Sequence, residues 1–324
     1  MTRTAVTHEV EMVSLARLPS GRTVDTTIHR YAGSTGGPTV YLQALQHGGE
    51  VNGAAVLRRL HDHLLGSSIA GEVVAVPVAN PLAFDHRVYM GPTRLDAINT
   101  NMNRLWPGDA GGTLMERMVD SLWAVAAEAD AVVDLHTGGP YMLSHTRFTP
   151  GDEASRRLAT AFGIDPIVAE GDQLEGAGDD LPTGKLRAVA ASAVFPAITP
   201  ELAHSREIVE PSVESGVDGT VNVLRSMGVL DGTVRDHDPR VGTDKTSVTT
   251  DSSGLFRSTA VEVGDRVSAG TELGTVFDPT TYEDRETITA PSDGLVLTLN
   301  RGATVVEGES VGSIVQVNGA ATRR

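Results

Sequence analysis

The spacing of apolar residues changes once along this chain of 324 residues, near residue 231, and that change restricts the fold more than any other feature. Upstream, from residue 36, short apolar runs alternate with helical ones, which calls for helices on both faces of a mixed, mainly parallel sheet. Thr39 to Leu45, Glu72 to Val78, Ala131 to Leu135 and Ala197 to Thr199 are predicted strands, apolar enough to be buried on both faces. Ala54 to Leu65, Thr113 to Ala129 and Lys185 to Val194 have helical spacing, and Pro211 and Gly228 bracket a further helix. Downstream the period falls to two and glycines become frequent. There Val267, Gly270, Leu273, Gly274 and Val276 recur in order and spacing as Val305, Gly308, Val311, Gly312 and Ile314, the mark of two similar β-hairpin units. The expected division is an α/β unit over residues 1–232, a polar linker over 233–253 and an all-β unit over 254–324.

The chemistry concentrates where the first strand hands over to its helix, in Gln46-His47-Gly48-Gly49-Glu50-Val51-Asn52-Gly53. His47 and Glu50 offer an imidazole and a carboxylate, and His136, ending the apolar run in Asp134-Leu135-His136-Thr137-Gly138, offers a third donor. Two nitrogens and a carboxylate with a fourth position open are the donor set of a hydrolytic zinc site, one Zn2+ per chain. Two other His-x-x-Glu pairs exist. His8 and Glu11 sit an odd number apart on a strand-like segment and point to opposite faces. His204 and Glu207 lack the glycine turn that brings backbone close to a ligand. His61 and His63 on the predicted helix diverge and read as surface residues.

A net charge of −16 opposes nucleic-acid binding, which needs a basic surface. Of 26 basic residues only Lys185 and Lys245 are lysines, a pattern of adaptation to high salt, although a GC-rich genome would also favour arginine. Without cysteine, a transition metal must be held by His and carboxylate. No apolar run reaches the roughly 20 residues of a membrane span, and the first residues lack the apolar core of a signal peptide, so a cytoplasmic location is expected.

Four blocks in order resemble the succinylglutamate desuccinylase/aspartoacylase family of the zinc carboxypeptidase superfamily: His47 to Gly53, Asn103-Arg104-Leu105-Trp106-Pro107-Gly108, Asp134 to Gly138, and Pro196-Ala197-Ile198-Thr199-Pro200-Glu201. The resemblance implies a carboxypeptidase-like α/β fold, zinc on His47, Glu50 and His136, and Glu201 as general base. It also implies that Asn103 and Arg104 grip a substrate carboxylate, with Arg94 a second candidate. Lys185 and Arg187, which precede the Glu201 strand, are expected to face solvent, the alternative being contact with a second acidic group on the substrate. Tyr282, on a C-terminal hairpin, is a candidate oxyanion donor. Val263 to Val267 and Ala290 to Val296 resemble the biotinyl/lipoyl barrel-sandwich family, but residues 277–289 contain no lysine, which excludes a swinging-arm carrier.

Three departures bear on activity, one of them Gly139-Pro140-Tyr141 after the third donor, expected to reshape the pocket. The family's Asp-Leu-Asn-Arg is here Asn101-Met102-Asn103-Arg104, so a neutral Asn101 replaces an aspartate expected to brace a zinc-bound histidine. Pro200 precedes Glu201 where valine is commoner. The implied function is a zinc-dependent amidohydrolase that deacylates an N-acyl amino acid or related small amide. The alternatives are a metallocarboxypeptidase on short peptides and an inactive zinc-bound relative that binds a ligand. Gly-rich edges of the C-terminal unit would permit a homo-oligomer.

Overall fold

A computed structural model describes residues 6–95, 99–139, 141–172, 174–175, 181–204, 206–302 and 304–318. The first part runs β1 (Thr7–Arg17), β2 (Thr23–Ala32), β3 (Thr35–Ala44), α1 (Asn52–Leu65), β4 (Ala70–Val76), α2 (Pro81–Asp85), α3 (Leu114–Ala126) and β5 (Ala131–Gly138). It continues with β6 (His145–Phe148), α4 (Glu153–Phe162), β7 (Ile167–Ala169), α5 (Leu186–Ser192), β8 (Ala197–His204) and α6 (Glu210–Ser226). The C-terminal strands are β9 (Val241–Thr249), β10 (Gly254–Ser258), β11 (Arg266–Val267), β12 (Glu272–Phe277), β13 (Asp284–Thr289), β14 (Gly294–Leu299), β15 (Thr304–Val305) and β16 (Ser310–Asn318).

One mixed sheet of 12 strands has the order β1-β2-β4-β3-β5-β8-β6-β7-β9-β16-β14-β11. Its centre, β4-β3-β5-β8, is parallel, as the doubly apolar strands predict. Strand alternation sorts the core. Val40, Leu42, Val73, Ala75, Val133 and Leu135 meet α1, α4 and α6 on one face, whereas Tyr41, Val74, Val76 and Val132 meet α3 and α5 on the other. α3 starts with a capping box in which Thr113 and Glu116 satisfy each other's backbone N–H. No described helix is long and apolar enough to cross a membrane.

The linker expected over 233–253 is a strand for much of its length. β9 pairs in parallel with β7 and antiparallel with β16, so a mostly polar run of Thr, Asp, Lys and Ser between valines serves as a sheet strand. A second, four-stranded sheet, β13-β12-β10-β15, closes over a core of Phe256, Leu273, Val276, Ile288, Val311 and Ile314. The sequence repeat appears as geometry: Val267 and Val305 occupy the two-residue strands β11 and β15, and the turn glycines Gly270 and Gly308 share a φ of +82°.

Candidate active site

The site gathers at the carboxyl ends of β3, β5 and β8. The chain leaves β3 through Leu45, whose φ of +59° is unusual for a bulky residue. Asn80 holds that turn, its backbone N–H donating to Leu45 O at 3.0 Å and its side chain to Gln46 O at 3.1 Å. Gly53 then lets α1 settle on the sheet. A Cβ there would stand 2.8 Å from Leu135 Cβ and 2.9 Å from Ala44 Cβ. Asn52 fastens the helix start to β8 by donating to Leu202 O at 3.0 Å and His204 O at 3.2 Å, and it accepts from Val209 N–H at 2.8 Å.

His47, Glu50 and His136 come together, all buried. The two imidazole Nδ1 atoms lie 2.9 and 2.8 Å from the separate oxygens of Glu50, and Thr137 N–H donates to Glu50 Oε2 at 3.1 Å. The far nitrogens are braced: His47 Nε2 lies 3.2 Å from Asn101 Oδ1, and His136 Nε2 lies 2.9 Å from Asp134 Oδ2. Asn101 therefore does the bracing expected of an aspartate, with an amide oxygen. Tyr89 stacks on the His47 ring, centroids 4.2 Å apart. Burial would raise the Glu50 pKa, but His136 and His47 outweigh it and bring it down to about 2. For His136 burial is likewise outweighed, by Asp134 and Glu50, and its pKa is raised.

One candidate ligand atom from each residue lies within 4.8 Å of the other two. Two nitrogens aimed at one carboxylate, with their opposite nitrogens tied to oxygen acceptors, suit a divalent metal ion. Thr137 Oγ1, buried beside the pocket, has no hydrogen-bond partner among the described residues. A polar chain supports the ligands. Asp134 accepts from Gln43 Nε2 at 2.9 Å and Gln46 Nε2 at 2.7 Å; Gln43 Oε1 accepts from Tyr41 Oη and Gln46 Oε1 from Trp106 Nε1, both at 2.9 Å.

Glu201 is the register partner of His136 across β5 and β8, so it enters the same cavity, of about 120 Å³. Its Oε1 lies 3.2 Å from Arg147 Nη2, and Arg147 Nε lies 3.3 Å from Glu170 Oε2. Lys185 and Lys245 each meet Glu170 at 3.2 Å, and Arg187 meets Asp172 at 2.6 Å. The expectation that Lys185 and Arg187 face solvent is corrected: both line the cavity, and Arg187 is 2% exposed, because Asp172 and the Glu170 carbonyl satisfy its guanidinium. Burial opposes ionisation of Glu170, but Arg147, Lys245 and Lys185 hold it well below the usual carboxylate range. Arg147 goes the other way: burial would lower its pKa, and Glu201 and Glu170 raise it.

Asn103 and Arg104 both line the cavity. Asn103 Oδ1 accepts from Leu186 N–H at 3.1 Å, and the exposed Arg104 donates to Asn103 O at 2.6 Å. Arg94 is exposed and outside the lining, next to residues 96–98, which lie outside the described set. Tyr282 is 84% exposed in the β12–β13 connection and does not line the cavity. The C-terminal part approaches through β14 instead, where Leu143 N–H donates to Leu297 O at 2.9 Å and Leu299 N–H to Tyr141 O at 3.2 Å. His204 and Glu207 lie 3.9 Å apart near the surface, away from the cluster. Sequence reading missed Arg147, Tyr89 and the Glu170–Asp172 pair. One available signal was lysine scarcity, since the chain's two lysines converge on Glu170.

A curated relative, the N-alpha-acetyl-L-2,4-diaminobutyric acid deacetylase of Halomonas elongata, is 28% identical over 305 residues, covering 87% of this chain and 83% of that protein. The product-bound ectoine utilization protein EutE (DoeB) from Ruegeria pomeroyi superposes with a TM-score of 0.82 at 22% identity, covering 97% of this chain and 96% of that one. A succinylglutamate desuccinylase/aspartoacylase from Rhodobacter sphaeroides gives a TM-score of 0.81 at 24% identity, covering 98% and 96%. The profile of the succinylglutamate desuccinylase/aspartoacylase catalytic domain matches residues 36–227, and the chain belongs to that family.

Proposed function

We propose that this protein is a zinc-dependent amidohydrolase of the cytoplasm that deacylates an N-acyl amino acid. The observation that carries the reading is the meeting of a His-Glu-His donor set, the Glu201 carboxylate outside that set and a cationic wall in one cavity. Zinc held by His47, Glu50 and His136 would polarise the scissile carbonyl and make water easier to deprotonate. Glu201 takes a proton from the attacking water and returns it to the departing amine nitrogen as the C–N bond breaks. Arg147, 3.2 Å away, orients that carboxylate. Arg104, with its guanidinium at the cavity surface, receives the substrate carboxylate, and Asn103 fixes the loop that carries it. The H. elongata relative, a deacetylase of N-acetyl-2,4-diaminobutyric acid, supports an acyl group as small as acetyl and an amino-acid amine. The two C-terminal sheets around one core support a barrel-sandwich unit beside the cavity.

The test is hydrolysis of a pooled set of N-acyl amino acids and short peptides by zinc-loaded protein, read by mass spectrometry. Free amino acids should appear with the parent and fall at least about 100-fold with Glu201→Gln, while zinc content stays equal. C-terminal trimming of peptides without deacylation would replace this reading with a carboxypeptidase.

A further inference from the structure

Three imidazoles outside the catalytic cavity meet where β1, β2 and α1 pack. His8 is the register partner of Tyr31, and His29 lies two residues before Tyr31, so all three rings stand on one face of the β1–β2 hairpin. α1 lays His61 against that face, with its ring 5.0 Å from His8 and 6.1 Å from His29, centroid to centroid. His8 Nε2 approaches His29 Nδ1 to 3.1 Å, and Tyr31 Oη is 2.7 Å from His61 Nδ1. One candidate ligand nitrogen from each histidine lies within 4.8 Å of the other two. The sequence expectation that His61 is a plain surface residue does not hold.

We propose that His8, His29 and His61 form a second metal site, for a divalent transition ion of the zinc, nickel or copper class, separate from the His47–Glu50–His136 cluster. Imidazole donors select that class over calcium or magnesium. A tetrahedral ion with metal–nitrogen bonds of about 2.0–2.1 Å sets its ligands about 3.3 Å apart. The present 3.1 Å between His8 and His29 is within a few tenths of that value. Burial, reinforced by the neighbouring imidazoles, lowers the pKa of both His8 and His29, which keeps their lone pairs available. Tyr31 is a neutral phenol, its pKa pushed up to about 12 mainly by burial. Its oxygen can accept the Nδ1–H of His61 and leave Nε2 free to ligate, the arrangement usual for metal-bound histidine. An adjoining cavity of about 370 Å³, lined by His29, Tyr31, Arg58 and His61 among others, leaves a fourth position open to water.

The competing account is an imidazole–phenol stack with no ion, for His8 and Tyr31 are nearly parallel at 4.6 Å. Metal-stripped full-length protein would be titrated with Zn2+ against a chromophoric chelator, and with Co2+ by absorption. The variants are His136→Ala, His29→Gln, His8→Gln and Tyr31→Phe, with circular dichroism as the check on folding. Each of His29→Gln and His8→Gln should bind one equivalent fewer than its parent, in both the wild-type and the His136→Ala background. Tyr31→Phe should weaken that equivalent about 10–100-fold without changing the other. Unchanged stoichiometry and affinity in the folded His29→Gln and His8→Gln proteins would overturn the second site. Loss in those variants but none on His136→Ala would keep it and remove the catalytic metal instead.

Discussion

Asp134→Asn tests the polar chain behind the candidate metal cluster. Asp134 is 1% exposed and accepts three hydrogen bonds, from Gln43, Gln46 and His136, with donor distances of 2.9, 2.7 and 2.9 Å. The last two converge on Oδ2 and the first on Oδ1. An asparagine that keeps its oxygen on the Oδ2 side retains two of these bonds but turns its amide onto Gln43 Nε2, donor against donor. Gln43 can answer by flipping only if Tyr41, which now donates to Gln43 Oε1, reverses its hydroxyl. One charge-assisted bond is lost, about 1.5–3 kcal/mol of stability. The two surviving bonds lose their charge. His136 then has a weaker partner on Nε2, so zinc affinity should fall about 10–100-fold, or about 1.4–2.8 kcal/mol. Urea denaturation of the stripped protein and chelator competition on the loaded one measure the two losses separately. Parental zinc affinity in a destabilised Asp134→Asn protein would refute the bracing role and leave Asp134 a purely structural group.

Other outcomes follow from the same geometry. Gly53→Ala would push its methyl into Leu135 and Ala44, so a loss of about 1–3 kcal/mol is expected by urea denaturation, with weaker zinc binding as the start of α1 shifts behind Glu50. His145 is fully buried, donates to Leu143 O at 2.9 Å and accepts from Arg147 Nε at 3.1 Å, and its pKa is lowered to about 3, by burial first and Arg147 second. The unfolded chain takes up that proton first as pH falls below about 6.5, so this contribution is intact at neutral pH and lost progressively toward pH 3. The loss amounts to about 2 kcal/mol by pH 5, and a His145→Gln protein should show an acid limb flatter by that amount in stability measured from pH 7 to 5.

The central strands and long helices were legible because burial on both sheet faces, or on one helix face, leaves a plain apolar period. The candidate metal cluster was legible in two pieces, His47 and Glu50 at a glycine turn that joins strand to helix and His136 at the end of a buried apolar strand. β9 was not: its polar run, rich in Gly, Thr and Asp, reads as a linker, and only pairing with β7 and β16 makes these strand residues. The cationic wall was hidden for a related reason. Arg147 comes from β6, Glu170 and Asp172 from the segment after β7, and Lys185 and Arg187 from the entry to α5, so no local window holds the cluster. A charged side chain reads as solvated until its distant partner is known. The neutral Asn101 looked like a weakened brace in sequence; its amide oxygen still reaches His47.

The join between β7 and β9 has a mechanical consequence. Twelve strands share one sheet, yet the ladder crosses from the first part to the C-terminal strands through two register pairs, Ile167 with Val241 and Val168 with Gly242. Under load such a seam resists sliding along the strands and yields most readily by peeling from its end. Partial unfolding that begins there would bare the outer edge of β7, whose other edge pairs with β6, the strand that carries Arg147. The chemistry of the cavity is thereby mechanically tethered to a two-pair join within the sheet.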